Sequence, residues 1–124
     1  MRIGEIATRA GVTVDTVRFY ERVGVLPAPA RRESGYRDFP PGTVERIRLT
    51  RELQGIGFTL AEAVDALAAH DAGGATCESE RWRLGAVLAR VDAKLDELER
   101  LRSRIVDAQD ACAAGRCLFR SGAR

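Results

Sequence analysis

The stretch IGEIATRAGVTVDTVRFYER, Ile3 to Arg22, decides the fold. Ile3, Ile6 and Ala7 recur at i, i+3 and i+4, the spacing that lines one face of a helix with apolar side chains. Gly11 can take the left-handed conformation that ends such a helix. Thr13 can then cap a second helix that carries Val14, Val17 and, in the same register, Tyr20. Two short helices joined through a glycine turn predict a helix-turn-helix.

Downstream, Gly24, Leu26, Pro27 and Pro29 stop the second helix. In the segment from Arg31 to Phe39, Ser34-Gly35 stands between short basic and aromatic runs, which predicts a hairpin or wing. Pro40 and Pro41 mark a restart. Val44, Ile47, Leu49, Leu53 and Ile56 are expected to line a third helix ending near Gly55 or Gly57. Thr59 and Glu62 fit a capping box ahead of a fourth helix bearing Leu60, Val64 and Leu67. The run from His70 to Thr76, with Gly73-Gly74, reads as a hinge.

From Glu78 onward the apolar residues are Leu84, Leu88, Val91, Leu95, Leu98, Leu101 and Ile105, at steps of 4, 3, 4, 3, 3 and 4. This alternation is a coiled-coil seam with one irregular step near Leu98. A lone helix would leave the stripe in water, so the seam argues for a partner. Trp82 is expected to pack in that interface.

The chain has 124 residues, 45% of them hydrophobic, enough for one modest core plus an arm or shared interface. No apolar run reaches the ~18 residues of a membrane span, and the start of the chain has no signal-peptide block, so a cytoplasmic protein with no membrane partner is expected. Thiols stay reduced there. The net charge of +2 is unevenly spread. Residues 1 to 57 carry ten Arg against seven acids, and the stretch from Arg18 to Arg51 has eight Arg against four acids. That is the electrostatic footprint of a phosphate-binding surface.

The three cysteines are Cys77, Cys112 and Cys117, an odd number that argues against a structural disulfide framework. Cys77 and Cys112 lie 35 residues apart along one predicted helix, whose rise holds them roughly 50 Å apart. Thiols so placed can act together if two such helices pair antiparallel, so that Cys77 of one chain meets Cys112 and Cys117 of the other. Cys77 also stands at a helix start, where backbone N–H groups and the helix dipole favour a thiolate. Three thiolates gathered there suit a soft, thiophilic ion. Cys112 and Cys117 enclose Ala113-Ala114-Gly115-Arg116, a small loop whose glycine lets it close.

The segment Val17-Arg18-Phe19-Tyr20-Glu21-Arg22, the glycine and leucine that follow it, Arg31-Arg32 and Ser34-Gly35-Tyr36-Arg37 closely resemble the MerR family of bacterial transcription regulators. The likeness covers roughly residues 1 to 70, and the arm extends it to about residue 110. The resemblance implies a mainly α protein: a winged helix-turn-helix DNA-binding domain followed by a long antiparallel coiled-coil dimerisation helix, with an effector site at each end of that helix. On this reading residues 1–69 form the DNA-binding domain, 70–76 the hinge, 77–111 the dimerisation helix, and 112–124 the metal-binding loop and tail.

By the same resemblance Arg18 and Tyr20 are expected to contact DNA from the second helix, and Arg31, Arg32, Tyr36 and Arg37 from the wing. Arg can fork onto phosphate or guanine, and Tyr can donate to a phosphate oxygen. Phe19 and Phe39 are expected in the core. The implied partners are double-stranded promoter DNA, a second copy of the chain, and RNA polymerase at the promoter.

Copper- and silver-responsive members resemble the late cysteine pair but carry Ser where Cys77 stands, so the chain resembles the divalent-ion branch. The 35-residue cysteine spacing is similar to that of the mercury regulators, whose late pair encloses a longer loop. The ligand set implied is Cys77, Cys112 and Cys117, with mercury(II) as the first-choice ion. Lead(II) and arsenic(III) also suit three sulfurs, whereas zinc(II) or cadmium(II) would want a fourth donor such as His70. Two other readings stay open: a thiol-redox regulator of the same fold, and a protein that only sequesters metal. An enzyme is not expected, because the sole histidine and the lack of a nucleophile constellation leave little with which to build a site.

Overall fold

The chain adopts the element order α1 (Ile3–Ala10), α2 (Val14–Arg22), β1 (Ala30–Arg31), β2 (Arg37–Asp38), α3 (Thr43–Gly55), α4 (Leu60–Asp71) and α5 (Cys77–Ala113). This computed structural model describes residues 1–27, 30–31, 37–117 and 119, with the backbone alone for residues 30, 31 and 37. Two compact units result, Met1–Arg81 and Trp82–Arg124.

The α1–α2 turn follows from Gly11. Its φ of 70° and ψ of 33° are left-handed, the Val12 N–H reaches back to Ala7 O at 3.0 Å, and the Gly11 N–H to Thr8 O at 3.3 Å. This pair of bonds is a Schellman motif, which satisfies carbonyls that a helix end would otherwise leave open. Two residues on, the Thr13 hydroxyl accepts from the Thr16 N–H at 3.1 Å and starts α2. Helix α4 begins on the expected reciprocal box, with Thr59 N–H donating to Glu62 at 2.8 Å and Glu62 N–H donating to the Thr59 hydroxyl at 3.1 Å.

Ile6, Ala7 and Ala10 of α1, Val17 and Tyr20 of α2, Val44 and Ile47 of α3 and Leu67 of α4 close around Val25, Leu26 and Phe39. Several of these side chains lose all contact with solvent, each contributing about 1.5–3 kcal/mol by burial. The wing is a two-stranded antiparallel ladder pairing Ala30 with Asp38 and Arg31 with Arg37. Phe39, directly after it, is buried as expected, and its N–H donates to Met1 O at 2.8 Å.

Two expectations about packing fail. Helix α3 turns Thr43, Val44, Ile47 and Thr50 inward, whereas Leu49 and Ile56 are exposed. The helical step explains this: Thr43, Ile47 and Thr50 follow the i+3/i+4 stripe, and Leu49, two residues past Ile47, falls on another face. The two buried threonines donate to Pro40 O at 2.7 Å and Arg46 O at 2.8 Å, so neither hydroxyl is stranded. Phe19 is also not in the core; it is exposed beside the buried Tyr20.

Helix α4 continues through His70 to Asp71, which leaves residues 72–76 as the connection, with Gly73 and Gly74 both left-handed. Thr76 then caps α5 through a reciprocal pair, Ser79 N–H to the Thr76 hydroxyl at 3.0 Å and Thr76 N–H to the Ser79 hydroxyl at 2.9 Å. Helix α5 runs 37 residues without a break. Leu84, Leu88, Val91, Leu95, Leu98, Leu101 and Ile105 are all exposed along it, 44–60% each. Trp82 is exposed too, with the Arg83 guanidinium 4.6 Å above its ring. No helix among the described residues is long and apolar enough to cross a membrane.

Candidate nucleic-acid interface and metal centre

Helix α2 divides its faces cleanly. Val17 and Tyr20 face the core, while Asp15, Arg18, Phe19 and Arg22 are exposed. The Arg18 guanidinium lies 3.6 Å from the Asp15 carboxylate, and its side chain stays mostly exposed. Arg22 stands 5.8 Å over the Phe19 ring. The Tyr20 ring is a core element; its hydroxyl lies 3.5 Å from Gln54 Oε1, at the long limit of a hydrogen bond.

Of the wing residues, Arg31 and Arg37 face each other in the ladder register. Arg32 and Tyr36 lie outside the described residues, as do the side chains of Arg31 and Arg37.

Three further arginines hold the helix-turn-helix, and sequence reasoning did not single them out. Arg48 donates to Arg9 O at 2.8 Å and Arg51 donates to Gly11 O at 3.1 Å. Both guanidiniums thus meet the last carbonyls of α1, where a positive charge also suits the helix dipole. Arg46 donates through Nε to Val25 O at 2.8 Å and grips the Asp71 carboxylate with both remaining nitrogens at 2.7 and 3.0 Å. The fork ties the turn after α2 to the end of α4. That guanidinium holds the Asp71 carboxyl below its ordinary value. The only sequence signal for these contacts was the general density of arginine.

Cys77 is the first residue of α5 and is exposed. Cys112 is also exposed and lies in the last turn of α5, because the helix extends to Ala113. Gly115 takes a left-handed φ of 83°. The Arg116 N–H reaches Ala111 O at 2.7 Å and the Gly115 N–H reaches Cys112 O at 3.1 Å, a second Schellman motif. The chain is thereby folded back, and the Cys117 thiol comes into hydrogen-bonding reach of Cys112. That bond, then the charge of Cys117 and lastly burial, push the Cys112 thiol above its ordinary range. Two thiols within hydrogen-bonding reach can together take a thiophilic cation once they lose their protons, since metal binding requires the thiolate forms.

The cap therefore brings Cys112 and Cys117 together. Among the described residues of one chain, no three His, Cys, Asp or Glu side chains gather into a metal cluster. The donor set fits a soft ion at its paired thiols and needs at least one more ligand. His70 is exposed near the end of α4.

Residues 1–70 match the family described as MerR HTH family regulatory protein, and residues 44–108 match the one described as MerR, DNA binding. A mercuric resistance operon regulatory protein from Bacillus cereus is 32% identical over 118 residues, which is 95% of this chain and 89% of that protein. The transcription regulator PbrR691 from Ralstonia metallidurans CH34, solved in complex with lead(II), is 33% identical with a TM-score of 0.79, over 90% of this chain and 87% of that one. The dual-function transcriptional regulator MerR from Bacillus megaterium MB1, solved in complex with mercury(II), is 31% identical with a TM-score of 0.69, over 89% and 85% of the two chains.

Proposed function

The chain belongs to the MerR family of regulatory proteins, and from that premise we propose that it is a cytoplasmic, homodimeric transcription regulator that answers a thiophilic metal ion. It is a regulator and not an enzyme. Residues 1–71 bind promoter DNA, residues 72–76 connect, residues 77–111 pair antiparallel with a second copy, and residues 112–124 carry the metal loop. Arg18, Tyr20, Arg31, Arg32, Tyr36 and Arg37 supply the DNA contacts, Tyr20 through its hydroxyl alone. Cys77 of one protomer joins Cys112 and Cys117 of its partner around the ion, with mercury(II) the first choice. Lead(II), cadmium(II), zinc(II) and arsenic(III) are the competing ions, and His70 is a further donor for zinc or cadmium.

One observation carries this reading: the Schellman turn at Gly115 sets the Cys112 and Cys117 thiols side by side at one end of a continuous helix whose other end is Cys77. The exposed leucine seam supports pairing, because seven large apolar side chains in water favour any partner that covers them. By family resemblance, the apo dimer represses and the metal-loaded dimer stays bound, twisting the promoter into a form that RNA polymerase can use. The switch requires that metal bind the activating conformation more tightly than the repressing one, since tight but equal binding shifts nothing.

The test is to titrate the reduced dimer with each of the five ions and follow transcription from the bound promoter in vitro. Mercury(II) is expected to activate at about one ion per site. Cys77→Ser is expected to abolish the response and keep operator affinity; retained activation would refute the shared site. A protein that only sequesters metal would bind ions and no specific DNA.

The proximity of Cys112 to Cys117 favours one second reading, a redox regulator of the same fold. In that case a disulfide oxidant alone switches transcription, and mass spectrometry finds a Cys112–Cys117 bond in the active protein.

A further inference from the structure

Phe19 is the apolar side chain of α2 that the core does not take. Its neighbours Val17 and Tyr20 are buried, yet its own ring is 40% exposed on a helix whose outer face is otherwise charged. Two contacts hold the ring. The Tyr20 ring lies 6.0 Å away at a tilt of 43°, and the Arg22 guanidinium stands 5.8 Å from its centroid. Tyr20 thus supports the ring from the core side, and Arg22 stands over it as a cation over a π-face. Arg18, on the preceding residue, remains mostly exposed.

An arginine, an aromatic ring and a second arginine one turn later therefore share the outer surface of the second helix of a helix-turn-helix. In that motif the second helix enters the major groove. Guanidiniums there meet phosphates or guanine edges, but a phenyl ring has no hydrogen bond to offer. The apolar group that B-DNA presents in the major groove is the 5-methyl of thymine. We propose that Phe19 is a specificity-determining residue that reads a thymine methyl in each operator half-site, its ring fixed between Tyr20 and Arg22. This inference rests on the DNA-binding reading of α2 and adds a base contact to it.

The test isolates the methyl. An operator is first selected from random duplex DNA by the wild-type dimer, and each thymine of the half-site is replaced in turn by deoxyuridine, symmetrically in both halves. Uracil pairs as thymine does and lacks only the methyl. For wild-type protein, one position is expected to lose affinity by about three- to fivefold per half-site, the value of one buried methyl, and so by roughly ten- to twenty-fivefold for the pair. Phe19→Ala is expected to bind the thymine operator weakly by a similar factor and to be indifferent to uracil at that position. Phe19→Leu should restore part of the discrimination. The ring is substantially exposed, so thermal melting of Phe19→Ala should match wild type and separate a lost contact from a lost fold.

The inference is overturned if no uracil position weakens the wild type, or if every one weakens wild type and Phe19→Ala alike. Failure to select any operator would instead remove the DNA-binding reading itself.

Discussion

Gly11 and Gly115 make the same turn in two settings. Each is left-handed, and each is followed by an N–H that reaches five residues back while its own N–H reaches three back. At Gly11 the turn is set in the packed unit: Ala7 and Ala10 before it are buried, and Arg51 from α3 holds its carbonyl. At Gly115 the surrounding residues 112–116 are all exposed. One backbone device thus serves as a packed joint between two helices and, elsewhere, as an exposed holder for two thiols. The difference teaches that the motif fixes local geometry by itself, and that its effect on stability depends on what else the turn anchors.

The largest break in the comparison comes from the thiols. Cys112→Ser leaves the cap's hydrogen bonds untouched and removes one sulfur. It should abolish metal-dependent activation while thermal melting and operator affinity stay at wild-type values. A variant that still answers mercury(II) would show that the paired sulfurs are not the site. Next comes Gly11→Ala. A Cβ there meets nothing within 4 Å, so the cost is the left-handed conformation alone, about 1–2 kcal/mol. In a unit of this size that lowers the melting temperature by roughly 4–8 °C per kcal/mol, readable by circular dichroism. An unchanged melt would mean that the joint is not under the load ascribed to it.

Gly115→Ala faces the same open space around its Cβ and should behave differently. Little depends on that turn except the thiol pair, so melting should hold. Metal affinity should fall by about five- to tenfold, as roughly 1 kcal/mol is spent re-forming the cap on binding. Competition with a thiol chelator measures it. Equal loss of stability in both glycine variants would erase the distinction between joint and holder.

What could be read in the sequence follows the reach of the bonds involved. Gly11, Thr13 and the Thr59–Glu62 box announce hydrogen bonds that close within a few residues, and all of them form. The seam on α5 is equally local in origin, since the period alone defines the stripe. Contacts between distant segments were not legible. Arg48 to Arg9, Arg51 to Gly11 and Arg46 to Asp71 span 39, 40 and 25 residues, and a run of arginines gives no hint of which carbonyl each will meet. Tyr20 falls in the Val14 and Val17 register and is buried as that period expects, whereas Phe19, one residue off the stripe, was expected in the core and faces out. At the cysteines, the short loop was readable because five residues suffice to specify a Schellman turn. The proposed partnership with Cys77 of a second copy rests on the 35-residue spacing along one helix.

The smallest expected effect sharpens the contrast at the end of α4, where the packed unit gives way to the connection. Arg46 is mostly buried and its Asp71 partner is 53% exposed, so the ion pair is half in water. Asp71 has its carboxyl held below the ordinary value, first by its hydrogen bonds to Arg46. A lowered value in the folded state means that the ionised form is the stabilising one. Its contribution is complete above the unfolded value of about 3.9 and is lost as pH falls through the folded value. Solvent screening limits it to a few tenths of a kcal/mol. Asp71→Asn should therefore lie slightly below wild type in urea melts near pH 7 and converge with it in acid, once the folded-state carboxylate is protonated. The Arg46 bond to Val25 O is untouched by that change and should keep the turn after α2 in place at every pH. Curves that stay parallel down to acid would show that the carboxylate's charge contributes nothing, and that Arg46 secures the end of α4 through geometry alone.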